Sequence, residues 1–323
     1  MNPQRRAVID VGTNSTKLLV AEVSGHEVQP LWEESTQTRL GRGFYQTRRL
    51  QPEAIAATAQ AVAEFAATAR EKEAMSIRVI ATSAARDAVN QEELQGAIKS
   101  LSGLKVEIIS GEQEADLVFQ GVTSDARFAT GPLLLLDVGG GSTEFILGEG
   151  DQKYFQRSVL LGTVRLLEQL PHSDPPTPEE LAACRAWLRE FLASEVRPAL
   201  EQVMTVQKGG GRITSKSTTG KGIVQLVGTG GTMSILGCME AKLETFDRQR
   251  LETTRLSLER VHDHVERLWR MPLAERKQVP GLPPNRADVI LTGVAIYEAI
   301  MENLGFAEIR LSTRGLRFAA VMG

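Results

Sequence analysis

Apolar runs that stop at glycine-rich turns recur along this chain. The longest, Leu133–Leu147, reads LLLLDVGGGSTEFIL, which predicts a buried strand, a tight turn and a second strand. Three consecutive glycines leave the backbone N–H groups of the turn uncovered, so the turn can close around an anion. The carboxylate of Asp137, at the entrance of the turn, can hold the cation that accompanies a phosphate.

The same pattern occurs a second time, earlier in the chain. Val8–Val20 reads VIDVGTNSTKLLV and can be laid over Leu135–Leu147 without a gap. The aligned pairs include Asp10 with Asp137, Gly12 with Gly139, Ser15 with Ser142 and Thr16 with Thr143. Two such hairpins predict a duplicated domain with two matching phosphate loops. The copies differ where Lys17 is aligned with Glu144, so one loop brings a cation and the other a carboxylate.

Alternating strand and helix patterns surround the two hairpins and place the chain in the α/β class. Between the hairpins we expect a helix over 52–75, a strand over 77–81, a helix over 91–101 and a strand over 106–109. After the second hairpin we expect helices over 162–170, 177–197, 257–270 and 283–303. A strand over 223–227 leads into a third glycine-rich turn, Gly228–Thr232, which opens a helix and forms another anion site.

Length, charge and cysteine content narrow the class of protein. The 323 residues suit two domains, and 42% hydrophobic content is enough for two cores. The net charge of −3 gives no global attraction for polyanions, so we expect no nucleic-acid partner and only local anion sites. Cys184 and Cys238 lack a paired spacing, which favours a reducing cytoplasm. Neither a signal peptide nor a membrane span is predicted.

Charged residues that follow predicted strands have a structural as well as a functional interpretation. Arg86 follows the strand over 77–81, where α/β sheets place ligand groups, but such an arginine is often only a cap or an ion-pair partner. Ser110 is a predicted N-cap, with Glu112 and Glu114 in the first helical turn. Acidic residues there suit the helix dipole, so neither carboxylate is functional on its position alone.

Other polar segments are weaker candidates. Arg39 and Arg42 flank a glycine-containing turn that a solvated loop explains equally well. Lys208–Gly222 is basic and rich in Gly, Ser and Thr but lacks P-loop spacing, so we interpret it as an excursion between elements, with a lesser chance of touching an anionic ligand. His262 and His264 are two apart on a predicted helix and point to different faces, which argues against a shared metal.

Three phosphate-type loops in order, each after an apolar strand, resemble the superfamily of actin, the sugar and acetate kinases and the chaperone ATPases. Within it, the chain resembles the exopolyphosphatase / guanosine pentaphosphate phosphohydrolase family over nearly its whole length. The matching segments are DVGTNSTKLLV (10–20), ATSAARDA (81–88), ISGEQEADLVFQGV (109–122), LDVGGGSTEF (136–145), VGTGGT (227–232), RADVILTGVAI (286–296) and STRGLR (312–317). The SGEQEA segment between two phosphate loops separates this family from the kinases.

The resemblance implies an α/β fold of two ribonuclease H-like, actin-like ATPase domains. Each is expected to have a mixed five-stranded sheet flanked by helices, with the active-site cleft between the domains. The first domain is expected over residues 1–122, with 307–323 packing back onto it, and the second over 123–306. Longer members of the family continue into an additional helical region, so the chain resembles the short, two-domain members.

The resemblance also assigns roles to the candidate residues. Glu114 is the expected general base, with Glu112 less favoured, and Arg86 is expected to grip the substrate. Mg²⁺ or Mn²⁺ is expected on Asp137 and also on Asp10, whereas Glu144 either binds the metal or orients water. The expected phosphate ligands are Gly12, Thr13, Asn14, Ser15, Lys17, Gly139, Gly140, Gly141, Ser142, Thr143, Gly230 and Arg314.

The implied activity is metal-dependent hydrolysis of a terminal phosphoanhydride, in inorganic polyphosphate or in pppGpp, by a cytoplasmic homodimer. Two alternatives stay open. A phosphotransferase of the kinase type needs an adenosine pocket, for which the turn over 228–232 is a candidate, and an acceptor site, for which the sequence has no signature. A non-catalytic sensor of nucleotide or polyphosphate has no need of the intact carboxylates Asp10, Glu114, Asp137 and Glu144.

Overall fold

The computed structural model describes residues 3–206 and 224–323, and the chain folds into two compact units. The first unit comprises Met1–Asp125, Gly140–Ser142 and Arg314–Gly323, and the second comprises Ala126–Gly139 and Thr143–Thr313. The basic segment over 208–222 lies outside the described residues, so its predicted role stays a prediction.

The first unit is built on one mixed sheet. Its strands are β1 (Gln4–Val11), β2 (Thr16–Ser24), β3 (Glu27–Thr36), β4 (Ser76–Ala81) and β5 (Val106–Ile108). Its helices are α1 (Phe44–Thr47), α2 (Pro52–Glu71), α3 (Ser83–Asp87), α4 (Gln91–Ser102), α5 (Gly111–Thr123) and α14 (Leu316–Ala320). The strand order is β3-β2-β1-β4-β5. The first three strands pair antiparallel, whereas β4 and β5 run parallel to β1.

The second unit is also built on a mixed sheet. Its strands are β6 (Pro132–Val138), β7 (Thr143–Glu149), β8 (Gln152–Val159), β9 (Gln225–Thr229), β10 (Arg255–Ser257) and β11 (Glu308–Leu311). Its helices are α6 (Thr163–Gln169), α7 (Pro178–Phe191), α8 (Arg197–Val206), α9 (Gly230–Glu240), α10 (Arg248–Thr253), α11 (Leu258–Trp269), α12 (Leu273–Arg276) and α13 (Ile290–Leu304). The strand order is β10-β11-β9-β6-β7-β8.

The predicted duplication is visible in the strand pairing. The order β3-β2-β1-β4-β5 of the first sheet corresponds to β8-β7-β6-β9-β11 of the second, with the same parallel and antiparallel pairs. Asp10 lies opposite Lys17 across the first hairpin, and Asp137 lies opposite Glu144 across the second. The predicted fold class, two mixed sheets flanked by helices, is confirmed.

Two details of the fold differ from the expectation. The second sheet has six strands rather than five, because β10 adds antiparallel to the edge strand β11. Since β11 pairs parallel with β9, the segment over 308–311 belongs to the second unit, and the chain joins the first unit only from Arg314. Helix α14 then packs closely on α5. The contact is so tight that a Cβ on Gly121 would lie only 2.1 Å from the carbonyl oxygen of Gly315.

Local sequence signals explain most helix boundaries. Ser110 and Thr177 are the predicted N-caps, and each completes a capping box with the residue three positions later. The helix expected to stop near residue 197 instead continues through a π-helical turn, Leu192–Val196, into α8. Pro198 has no backbone N–H to donate to the preceding turn of the helix, and the π turn lies just before it. The helix expected from residue 283 opens with a 3₁₀ turn, and its α-helical part begins at Ile290.

Each unit has its own hydrophobic core. In the first, α2 and α4 cover one face of the sheet and bury side chains such as Phe65 and Ile98 against Ile9 and Val79. In the second, α13 is buried over nearly its whole length. A helix that is apolar all round needs cover on every side, so α13 forms the centre of that unit.

Candidate active site

Three strands of the first sheet carry candidate residues just after their carboxyl ends. The parallel strands β1, β4 and β5 end side by side, joined by backbone hydrogen bonds from Thr82 to Val11 (3.2 Å) and from Ile109 to Ala81 (3.1 Å). The phosphate loop follows β1, Arg86 follows β4 and Glu114 follows β5. The carboxyl edge of a parallel sheet is where α/β proteins bind ligands, so the topology brings these groups to one edge.

The first phosphate loop, Gly12–Ser15, holds two buried hydrogen-bond donors for which the described residues provide no acceptor. Within the described residues, the amide nitrogen of Asn14 and the hydroxyl of Ser15 have no hydrogen-bond partner, although the residues are only 6% and 4% exposed. The side-chain amide of Gln37 donates to the side-chain oxygen of Asn14 at 3.2 Å, so only the oxygen of the Asn14 amide is used in this contact. Buried donors without partners are costly, so the loop is built to receive an acceptor.

Asp10 lies beneath this loop in an environment that disfavours its charge. Burial raises the pKa of the Asp10 carboxyl above its ordinary value, while the positive charges of Lys17 and Arg317 oppose this rise. A bound divalent cation would favour the ionised form further. Asp10 therefore fits a site in which a bound cation compensates the charge of a buried carboxylate.

The pKa of Asp10 predicts how stability depends on pH. Because the pKa of Asp10 is higher in the folded protein than in the unfolded chain, the folded protein binds more protons. The stability that this group contributes at low pH is therefore lost as pH rises through the folded pKa. We expect Asp10→Asn to raise the thermal midpoint at neutral pH without metal and to flatten its dependence on pH. Calorimetric unfolding between pH 4 and 8 measures this, and an Asp10→Asn profile parallel to that of the parent protein contradicts it.

Glu114 and Arg86 form an ion pair at the start of α5. The Arg86 guanidinium donates to Glu114 at 3.0 Å and to the carbonyl of Ile109 at 3.2 Å. The Arg86 side chain is 20% exposed and the Glu114 side chain 12% exposed, whereas Glu112 lies on the surface. The partial burial favours Glu114 over Glu112 as the functional carboxylate. Both predicted catalytic groups of the first unit are thus in contact. The pair uses the ionised form of Glu114, the form in which a base accepts a proton.

Ser83 is a further site residue that the sequence did not single out. It begins α3 and is 2% exposed, and its hydroxyl has no hydrogen-bond partner among the described residues. Gly140–Ser142 belong to the first compact unit. A Cβ on Gly141 would lie 2.4, 2.5 and 2.9 Å from the hydroxyl oxygens of Ser83, Tyr45 and Thr13, so three hydroxyls converge on one backbone position.

The sequence feature that could have located Ser83 is a pair of hydroxyl residues at the end of a strand. Thr82 and Ser83 directly follow β4, at the same sheet edge as Asn14 and Ser15. Hydroxyl residues at a helix start are usually interpreted as caps, so their position alone does not indicate a ligand. Here the N-cap, Thr82, makes no side-chain capping bond.

Two carboxylates meet at the end of the hairpin in the second unit. Asp137 and Glu144 are cross-strand neighbours, which places their Cβ atoms about 5 Å apart. Glu144 is 1% exposed and accepts a hydrogen bond from the hydroxyl of Ser158 at 2.8 Å. In the first unit the matching position is Lys17, so only the second hairpin pairs two acids.

Asp137 also lies against the start of α9. A Cβ on Gly230 would lie 2.2 Å from a carboxylate oxygen of Asp137, and Gly230 has a φ of +87°. The predicted third turn is therefore packed against the carboxylate, and the positive end of a helix faces a negative charge. Burial raises the pKa of the Tyr297 phenol well above its ordinary value, and the charge of Asp137 adds to the rise.

Other predicted phosphate ligands already have partners within their own unit. The Thr143 hydroxyl donates to the carbonyl of Leu161 at 2.6 Å. Arg314 donates to the carbonyl and hydroxyl of Ser124 at 3.1 and 3.0 Å, at the end of α5. These contacts give Thr143 and Arg314 structural roles in addition to any part in binding phosphate.

One group of side chains elsewhere in the second unit has the spacing of a metal site. His262, Glu298 and Glu302 offer ligand atoms within 4.8 Å of one another. Arg185, however, donates to both carboxylate oxygens of Glu298, at 2.8 and 2.7 Å. Because that carboxylate is fully buried and both of its oxygens accept from Arg185, the group is best described as an ion-pair network.

Comparison with known protein families assigns the chain to one of them. The family model described as "Ppx/GppA phosphatase family" matches residues 18–322. The chain belongs to the Ppx/GppA phosphatase family. Exopolyphosphatase 2 of Mycobacterium tuberculosis is 34% identical over 312 residues, covering 93% of this chain and 91% of that protein.

Further members support the assignment. The guanosine-5'-triphosphate,3'-diphosphate pyrophosphatase of Photobacterium profundum is 29% identical over 317 residues, which cover 96% of this chain and 57% of that protein. The crystal structure of the Ppx/GppA family member from Aquifex aeolicus has a TM-score of 0.77 and 28% identity, covering 99% of this chain and 97% of that one. Among the described residues, we find no helix with the length and hydropathy needed to cross a membrane.

Proposed function

We propose that this member of the family hydrolyses the terminal phosphoanhydride bond of inorganic polyphosphate, of pppGpp or of both. The carrying observation is the set of buried donors at one sheet edge, Asn14, Ser15 and Ser83, which have no partner among the described residues. Phosphate oxygens would satisfy all three. The names of the relatives, an exopolyphosphatase and a pppGpp pyrophosphatase, support both substrates.

In the proposed reaction, water attacks the terminal phosphorus and Glu114 accepts the proton that water loses. The bond from the terminal phosphorus to the bridging oxygen breaks, and the shortened substrate leaves with the negative charge. Arg86 holds Glu114 in place through their ion pair. The backbone N–H groups and hydroxyls of the first loop would donate to the terminal phosphate as its charge develops.

Mg²⁺ or Mn²⁺ fits the oxygen donors of this chain. Asp137 would hold the ion, with Glu144 beside it on the hairpin and Asp10 as the equivalent carboxylate of the first unit. Carboxylates are the ligands that these hard cations prefer. When bound, the ion would neutralise phosphate charge, which is its usual role in phosphoryl transfer. A cytoplasmic homodimer stays a prediction from the family resemblance, and light scattering of the purified protein tests its oligomeric part.

Phosphate release distinguishes this proposal from the alternatives. Purified protein is incubated with Mg²⁺ and polyphosphate, pppGpp or ATP, and free phosphate and nucleotide products are measured with and without a chelator. We expect chelator-sensitive phosphate release from polyphosphate, pppGpp or both. ADP formation that depends on an added acceptor, without free phosphate, supports a kinase. Binding without any product supports a sensor.

The Ser83 hydroxyl is predicted to bind substrate phosphate. We expect Ser83→Ala to weaken tripolyphosphate binding about tenfold, because a hydrogen bond to a charged acceptor is lost. The free energy of unfolding should stay equal or rise, since an unsatisfied buried hydroxyl disappears. Titration calorimetry and chemical denaturation measure the two effects.

Thr58→Val is the matched control for this substitution. Thr58 lies in α2, is fully buried, and its hydroxyl also lacks a partner among the described residues. It is remote in sequence from all three predicted phosphate loops. We expect Thr58→Val to leave tripolyphosphate affinity unchanged. Equal affinities of the two variants would show that Ser83 does not touch phosphate.

A further inference from the structure

A cavity of about 510 Å³ lies in the first unit, between the turn that follows β3 and the start of α2. Its lining includes Thr38, Arg39, Arg42, Gln51 and Glu53. The two arginines are the pair that sequence alone could equally assign to a solvated turn. A cavity of this size is within the usual range of small-molecule sites and can hold several linked phosphates.

The wall of this cavity is hydrogen-bonded directly to the first phosphate loop. The backbone N–H of Arg39 donates to the carbonyl of Asn14 at 3.0 Å, and that of Gly41 donates to the carbonyl of Thr13 at 2.7 Å. A Cβ on Gly41 would lie 2.3 Å from the Thr13 side chain, so the two segments are in close contact. The segment that lines the cavity is therefore anchored to the first phosphate loop.

The charge of the lining favours an anion. The charged residues of the lining are Arg39, Arg42 and Glu53, and their formal charges sum to +1. The cavity also borders the amino end of α2, a 20-residue helix whose N-cap, Gln51, makes no side-chain capping bond. Arg39 is held at a φ of +52°, a conformation that non-glycine residues rarely adopt. The arginine charges and the amino end of the helix add positive potential beside the first loop, which is proposed to bind phosphate.

We propose that this cavity, the arginine subsite, binds a second group of phosphates on the substrate while the first loop binds the terminal group. The inference rests on the proposed function and extends it to substrate length. The second group would be either the following units of a polyphosphate chain or the 3'-diphosphate of pppGpp. Both present the same chemistry, a cluster of phosphate oxygens that a guanidinium can bind bidentately.

The test compares ligands that reach the arginine subsite with one that does not. Dissociation constants for tripolyphosphate, a polyphosphate of several tens of units and pppGpp are measured by titration calorimetry without Mg²⁺. We expect Arg39→Ala and Arg42→Ala each to weaken binding of the longer ligand about tenfold or more, from the loss of a charge-assisted contact. Tripolyphosphate affinity should change less than threefold. Selective loss for the long chain or for pppGpp identifies which source fills the subsite.

Arg48→Ala is the matched control. Arg48 is an exposed arginine of the same segment, also with a positive φ, and does not line the cavity. If Arg48→Ala weakens the longer ligands as much as Arg42→Ala does, the effect is general charge and the subsite is refuted. Equal losses for short and long ligands also overturn it. Phosphate release by the parent protein tests the proposed function separately, because these binding measurements need no turnover.

Discussion

Glu114→Gln is expected to bind substrate with nearly unchanged affinity and to lose turnover by ~10²–10⁴-fold, the usual contribution of a general base. The amide cannot accept the proton of the attacking water. It can still accept the hydrogen bond that Arg86 donates at 3.0 Å, so the helix start should stay intact. Steady-state phosphate release and calorimetric binding of tripolyphosphate separate the two effects.

Glu112→Gln provides the control for this prediction. Glu112 lies two residues before Glu114 in the same helical turn and is exposed. Its substitution changes the charge of the turn by the same amount and should lower turnover less than threefold. Near-parental turnover of Glu114→Gln, or a larger loss in Glu112→Gln, would place the base elsewhere.

Gly230→Ala is expected to reduce kcat/KM by about 100-fold, which is what misplacing a catalytic group by about 1 Å can cost. The added Cβ would lie 2.2 Å from a carboxylate oxygen of Asp137, so that carboxylate must move. If Asp137 holds the metal, the loss should be accompanied by a higher Mg²⁺ requirement. Activity measured over a range of Mg²⁺ concentrations tests this.

Gly131→Ala separates this contact from backbone strain. Gly131 precedes β6 in the same unit and has the same φ of +87°, but a Cβ there would have only one neighbour, at 3.9 Å. Both substitutions should lower the free energy of unfolding by ~1–2 kcal/mol, because both force an L-residue into a left-handed conformation. Only Gly230→Ala should change the Mg²⁺ requirement. Equal activity of the two variants contradicts the role of Asp137.

Local patterns were sufficient to predict much of the fold. The two hairpins, the caps at Ser110 and Thr177 and the order of strands and helices follow from periodicity and turn chemistry within about ten residues. The sixth strand was missed because β10 spans only three residues and owes its existence to its partner β11. The continuation past residue 197 of the helix expected over 177–197 was missed because Pro198 predicted a stop, whereas the π turn leads directly into α8.

Residue roles were less predictable than elements. Sequence reasoning named Arg86 and Glu114 as separate groups with separate tasks, and the structure joins them in one ion pair. Arg314 stays a predicted phosphate ligand, and the structure adds a second contact, from its guanidinium to the end of α5. Ser83 carried no distinct signal, because only the folding of β4 beside β1 brings its hydroxyl to the edge where the first loop lies.

By itself, the sequence determined two glycine-turn hairpins, an α/β fold and the matching carboxylates Asp10 and Asp137, with Glu144 where the first copy has Lys17. These follow from short-range rules, since strand ends, glycine turns and caps are encoded within a few residues of one another. Only the tertiary structure decided which polar groups are buried without partners among the described residues and that the segment carrying Arg39 is hydrogen-bonded to the first loop. Such features depend on contacts between segments distant in sequence, whose packing no local pattern specifies.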